Sequence, residues 1–286
     1  MYADDEFSAQ TFIEMIHLKS QREIERMRES ADLVGRTLAE VAKHIAPGVT
    51  TLELDRVAEE FVRDHGAEPA FKGYRIGQLP PFPGTLCTSV NDVVVHGMPG
   101  KTVLKEGDLL SLDCGVKLDG YYGDSAYTFA VGEISEADRE LCQVTYDSLY
   151  EGIEEAVHGR RVGDIGYAVQ QYCESRGYGV VRDLVGHGIG RKLHEDPQVP
   201  NTGRRGKGRK LKEGLTICIE PMINAGTYEV TTDRDGWTIR TEDRAPSAHY
   251  EHMVVVQRAQ PEILSTFEYI EAVIAPPYKK ATLTQI

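Results

Sequence analysis

KEGDLLSLD at residues 105–113 is answered by KEGLTICIE at 212–220, and each apolar run ends on a carboxylate, Asp113 and Glu220. Burying such an acid alone, at the end of a strand of Leu, Ile and Cys, is penalised by several kcal/mol or more. A metal ion removes that penalty. Recurrence at matching positions points to a duplicated half, with ligands supplied from both copies to one site.

Outward from this pair the same plan repeats. Ile24, Met27, Ala31, Val34, Leu38, Val41 and Ile45 recur in steps of three and four, which predicts a helix with one apolar face. Pro47-Gly48 stops it, and Thr50 with Glu53 forms a capping box for a second helix with Leu54, Val57, Ala58, Phe61 and Val62 inward. In the second half Ser135 caps a helix running through Leu141, Val144 and Leu149 to Val157, and RRVGDIG at 160–166 opens another. Helix pair, strands, then KEG and a carboxylate-ended strand is the order in both halves. Without a regular βαβ rhythm, this predicts an α+β fold with helices on one side of a sheet. We expect one domain over 15–260, its halves covering about 15–132 and 133–260. A disordered acidic lead at 1–14 precedes it, and a tail at 261–286, frayed or laid on the surface, follows.

The 286 residues are 41% hydrophobic and 27% charged, as expected of a soluble globular chain. Acidic residues outnumber basic ones 45 to 32, for a formal net charge of −13. General binding to DNA is therefore not expected, since affinity for a phosphate backbone rests on Lys and Arg. Cys87, Cys114, Cys142, Cys173 and Cys218 are odd in number and show no C-x-x-C spacing. Neither a disulfide framework nor a thiolate zinc site fits them; reduced, buried thiols of a cytoplasmic protein do. The opening MYADDEFSAQ lacks the basic and apolar regions of a signal peptide. No apolar run approaches the ~18 residues of a membrane helix, so no membrane association is expected.

The chemistry gathers at five short motifs. Asp119-Gly120 in CGVKLDGYYG is a two-residue hairpin signal that sets residue 115 opposite 124 and 113 opposite 126. Asp113 and Asp124 then share a sheet face as diagonal neighbours, about 7–8 Å apart at Cα, and repel unless a cation lies between them. Alone, they also read as exposed acids flanking a turn. GHGIGRKLHEDP at 186–197 carries His187 and His194 among glycines that do not form the dinucleotide fingerprint and that let the backbone approach a site entered by His187. Either histidine alone also reads as a core residue. HYEH at 249–252 puts Glu251 on a strand, and VVVHGMP at 93–99 puts His96 at the end of one. Taken together, Asp113, Asp124, His187, Glu220 and Glu251 form an oxygen-rich set with one nitrogen, at strand ends or glycine turns, suited to Mn, Fe, Co or Zn. Four carboxylates exceed what one open-sited ion needs and suit two ions about 3.5–4 Å apart.

The ordered motifs VNDVVVHGMP, SLDCGVKLDGYYGDS, GHGIGRKLHEDP, CIEPMINAG and SAHYEH closely resemble the type I methionine aminopeptidases, over roughly residues 15–260. That resemblance implies the pita-bread fold, in which two pseudo-symmetric halves with a curved, mainly antiparallel sheet enclose two divalent metal ions. It implies that Asp113, Asp124 and Glu251 hold one ion and that Asp124, His187, Glu220 and Glu251 hold the other, with Asp124 and Glu251 bridging. A hydroxide on the metals attacks the first residue's carbonyl, Glu220 shuttles the proton, His194 stabilises the oxyanion, and His96 binds the scissile region. The implied methionine pocket is Tyr74, Phe82, Cys87, His96 and Trp237. Backbone carbonyls near Asn91, Val93 and Ser247 are implied to hold one monovalent cation.

The segment between Tyr74 and Cys87 looks longer than in bacterial members, and Leu193 stands where an aromatic is frequent. By the same resemblance the substrates are the N-termini of nascent polypeptides with a small second residue, met by a cytoplasmic monomer. Two alternatives remain beside this reading. One is an X-Pro aminopeptidase or creatinase-like hydrolase of the same fold, for whose additional N-terminal domain residues 1–14 leave no room. The other is a non-catalytic binding protein on the same scaffold. GRRGKGRK at 203–210 has five basic residues in eight, either a solvated loop or a transient contact with ribosomal RNA.

Overall fold

The computed structural model describes residues 16–278; the acidic lead lies outside these. Helix α1, Gln21–Ala42, follows Ser20, whose N–H donates to Glu23 at 3.0 Å. Ile24, Met27, Ala31, Val34, Leu38 and Val41 are all essentially fully buried. Ile45 falls beyond the helix end. Helix α2, Thr51–Asp64, begins with the expected box: Glu53 N–H donates to Thr50 Oγ1 at 3.2 Å and Thr50 N–H to Glu53 at 2.8 Å. Helix α3, Glu136–Glu154, is capped by Ser135, which accepts from Asp138 N–H at 3.1 Å, and α4 spans Val162–Glu174.

The helices cover sheets whose named strands pair antiparallel. Leu109–Leu118 lies between Leu86–Val90 and Tyr121–Ala130. In the second half Thr216–Ile219 lies between His252–Val255 and Val185–Gly188, and the latter pairs with Glu195–Pro200. A seam joins the halves. Glu251 N–H donates to Ala126 O at 3.0 Å, Ser125 Oγ to Glu251 O at 2.7 Å, and Thr128 Oγ1 to His249 O at 2.8 Å. On the other face Gly123 meets α1 so closely that a Cβ there would stand 2.5 Å from the Ser30 backbone.

The segment expected as a frayed or surface-laid tail sends Phe267, Ile270 and Tyr278 into the core. Glu262–Ile263 adds a strand beside His252–Val255, and Glu268–Glu271 forms a short helix, α5. Tyr278 stacks on Tyr146 at 3.9 Å between ring centroids and is buried. The reason is aromatic: Tyr127, Tyr146, Tyr250 and His252 present a ring cluster that Phe267 and Tyr278 complete.

The basic loop 203–210 is exposed yet tied to the start of α4. Asp164 accepts from Gly206 N–H at 2.6 Å, Gly163 N–H donates to Lys207 O at 3.1 Å, and Arg205 pairs with Glu155 at 3.3 Å.

Candidate metal centre

The Asp119-Gly120 turn has positive φ at both central residues, 50° and 82°, as the type I′ hairpin requires. It sets Gly115 opposite Asp124 and Asp113 opposite Ala126, so the two acids do share a face. They stand mid-strand, however, not at strand ends. Buried residues continue on both sides of Asp113, and the ladder runs on to the turn. Glu220 does follow directly on Thr216–Ile219. Glu251 is not within a strand as HYEH suggested; it sits in the break between Ser247–His249 and His252–Val255, where its backbone bonds to the neighbouring hairpin instead.

His187 enters from Val185–Gly188. Its Nδ1–H donates to Gly188 O at 2.9 Å, which leaves the Nε2 lone pair facing Glu220 at 3.6 Å and Asp124 at 3.9 Å. The glycines of GHGIG serve strand packing: a Cβ at Gly186 would lie 2.3 Å from Cys218 O, and one at Gly188 would lie 2.3 Å from Asp196 O.

Water is largely excluded from this cluster, with Asp124 3% and Glu251 2% exposed. Asp113 Oδ1, Asp124 Oδ1 and Glu251 Oε1 are buried without a hydrogen-bond partner. Burial first, and then the neighbouring carboxylates, push Asp124, Glu220 and Glu251 well above the ordinary carboxylate range. Asp113 is raised to about 7, chiefly by burial. Burial likewise lowers His187 to about 3, so its imidazole is neutral, as a metal ligand must be. Ligand atoms of Asp124, His187, Cys218 and Glu251 all lie within 4.8 Å of one another. Orphaned acceptors around a neutral imidazole lack one thing, positive charge. The residues fit a divalent metal site.

The cluster floors a cavity of about 390 Å³, and all eleven residues named from the sequence line it. On the apolar side Phe82 meets Trp237 edge to face, 5.3 Å between centroids, with Cys87 and Leu193 in the same buried group. Trp237 Nε1–H donates to Pro80 O at 2.8 Å, so the long segment after Tyr74 forms part of the pocket wall. His96 has φ 57°, a left-handed conformation disfavoured for histidine, and burial lowers its pKa to about 4. His194 opens to the cavity, its pKa lowered by the surrounding walls. Of the carbonyls expected to face a monovalent cation, that of Asn91 accepts from Ser247 N–H at 2.9 Å.

Sequence reading missed Cys218, whose Sγ lies within 4.8 Å of a Glu251 oxygen, and His249, whose buried Nε2 lies 4.0 Å from Glu220. Cys218 stands two residues before Glu220, which directly follows its strand, so alternation places it on the same face; His249 stands two before Glu251, but the strand breaks between them.

Comparison with known proteins agrees with this geometry. The pattern of metallopeptidase family M24 matches residues 25–258. A methionine aminopeptidase of Clostridium acetobutylicum is 51% identical over 255 residues, 89% of this chain and 100% of that protein. Methionine aminopeptidase 1 of Bacillus subtilis is 48% identical over 88% of this chain and 99% of its own length. The crystal structure of methionine aminopeptidase from Rickettsia prowazekii superposes with a TM-score of 0.85 at 42% identity, covering 88% of this chain and all of that one. The X-Pro and non-catalytic readings are not favoured beside such near full-length identity. With its pita-bread architecture and buried carboxylate cage, the chain belongs to metallopeptidase family M24, among its methionine aminopeptidases.

Proposed function

We propose that this enzyme removes the N-terminal methionine of nascent polypeptides whose second residue is small, with two divalent ions held by Asp113, Asp124, His187, Glu220 and Glu251. One observation carries the reading: four buried or half-buried carboxylates and an imidazole floor a cavity walled by aromatic and sulfur groups. When bound, the ions supply Lewis acidity to a carbonyl oxygen and acidify a water from about 15.7 towards about 7.

The remaining work falls to the chain itself. Phe82, Trp237, Cys87, Leu193 and Tyr74 take up the thioether, for which an apolar, polarizable wall is suited. Neutral His96, beside Trp237 at 6.3 Å between centroids, binds the scissile region. Glu220 takes the proton of the attacking water and passes it to the departing amine. His194 donates to the carbonyl oxygen as negative charge develops there. A volume of about 390 Å³ is at the small end for ligand sites and supports restriction to a short second side chain. Five free, buried thiols support residence in the reducing cytoplasm.

The test is elemental analysis of metal-reconstituted protein alongside activity. Two ions per chain are expected in the parent and fewer in Asp124→Ala or Glu251→Ala, with turnover lost. A full metal complement and normal turnover in either variant would remove these residues from the ligand set.

A further inference from the structure

Tyr74 Oη lies 2.5 Å from His194 Nδ1, and the two rings meet edge to face, 5.1 Å between centroids at 71°. Which atom donates decides what His194 can do with its other nitrogen. If Nδ1–H donates to the phenol, Nε2 is a bare lone pair with nothing to offer an oxyanion. If the phenol donates, Nε2 carries the hydrogen. A phenol O–H is a stronger acid than the N–H of a neutral imidazole, so the second arrangement makes the better bond.

Both partners are held from opposite sides. Gly73 N–H donates to Phe82 O at 2.8 Å and Phe82 N–H to Tyr74 O at 2.9 Å, which closes the base of the long segment under the phenol. Tyr74 N–H donates to Phe71 O at 2.9 Å. Across the cavity Glu195, adjacent to His194, accepts from Lys19 Nζ at 2.5 Å and from Arg191 N–H at 2.8 Å. The Lys19 side chain is only 1% exposed, so this anchor is shielded from solvent. Burial keeps the Tyr74 phenol protonated, its pKa raised above the ordinary 10.0.

We infer that Tyr74 is a positioning residue: it fixes His194 as the Nε2–H tautomer, so that a neutral donor faces the scissile carbonyl. This rests on the oxyanion role proposed for His194. It also gives the pocket's long segment a second task, because the wall that meets Trp237 through Pro80 carries at its base the group that sets the donor.

The experiment is a double-mutant cycle with a spectroscopic arm. Tyr74→Phe keeps the ring and removes the hydroxyl. It should lower kcat roughly tenfold or more while KM changes little. In the His194→Ala background the same change should have no further effect, because the group it acts through is gone. Nitrogen-15 NMR of histidine-labelled, zinc-loaded protein should show His194 protonated at Nε2 in the parent and mixed between tautomers in Tyr74→Phe. An equal loss from Tyr74→Phe in both backgrounds, or a parent His194 protonated at Nδ1, would overturn the inference. If His194→Ala leaves the rate unchanged, the oxyanion role itself fails, and the tautomer arm still decides what Tyr74 does.

Discussion

Stripped of its metals, the enzyme should become less stable as pH rises, and replacing Asp113, one of the proposed ligands, should stabilise it. Asp113 titrates at about 7 in the folded chain against an ordinary 3.8. A folded value above the unfolded one means that the folded state holds the proton more tightly. The associated stability is complete below about pH 4 and is lost as pH rises through about 7. The difference of about 3 units, at 1.36 kcal/mol each, sets a ceiling of roughly 4 kcal/mol. Asp113 and Asp124 lie on the same sheet face and their charges interact, so the titration belongs to the pair, and about 2–4 kcal/mol is the expected span. Asp113→Asn has nearly the same shape and no charge. At about 2–4 °C per kcal/mol, the metal-free variant should melt about 4–16 °C above the metal-free parent at pH 8. Near pH 4 the two should coincide. Thermal unfolding of chelator-treated proteins across this range is the assay. With saturating Mn²⁺ the order should invert, because the parent alone gains the full linkage from bound ions. A gap that is the same at pH 4 and pH 8, or a variant less stable than the parent at pH 8, would refute the reasoning.

Three other substitutions test separate parts of the account. Gly123→Ala forces a Cβ to within 2.5 Å of the Ser30 backbone, so α1 or the Asp124 strand must move; a loss of about 1–3 kcal/mol is expected by chemical denaturation. Trp237→Phe keeps an aromatic wall and loses the bond to Pro80, so KM for Met-Ala-Ser should rise about 3–10-fold with kcat nearly unchanged, in line with one hydrogen bond of about 0.5–1.5 kcal/mol. On loop 203–210, changing Arg204, Lys207, Arg209 and Lys210 to Ala while sparing Arg205, which is tied to Glu155, should leave the melting temperature in place and weaken ribosome co-sedimentation at low salt. Equal co-sedimentation of variant and parent would leave the loop a connector only.

What could be read from the chain, and what could not, divides along sequence distance. The α1 stripe as far as Val41, the Thr50 and Ser135 caps and the Asp119-Gly120 hairpin rest on residues within four or so positions of each other, and these stand in the structure as expected. Strand alternation alone would also have found Cys218. Across more than a hundred residues only the meeting of the carboxylates and His187 was legible, through the repeat and the ordered motifs; other distant contacts were not. The break at Glu251 exists because its backbone bonds to Ser125 and Ala126, and no local pattern around HYEH encodes that partner. Phe267 and Tyr278 look like tail residues until Tyr127, Tyr146 and His252 are seen to leave room for their rings. Tyr74 and His194, 120 positions apart, meet for the same reason.

The central claim is that the buried carboxylate cage is the catalytic centre for methionine removal. Its most direct test is release of free methionine from Met-Ala-Ser by chelator-treated protein, with and without added Mn²⁺ or Co²⁺, beside Met-Phe-Ser and an X-Pro tripeptide. No release is expected without metal, with restoration on adding either ion and little cleavage of the other two peptides. Undiminished release in excess chelator, or preference for the X-Pro substrate, would contradict it.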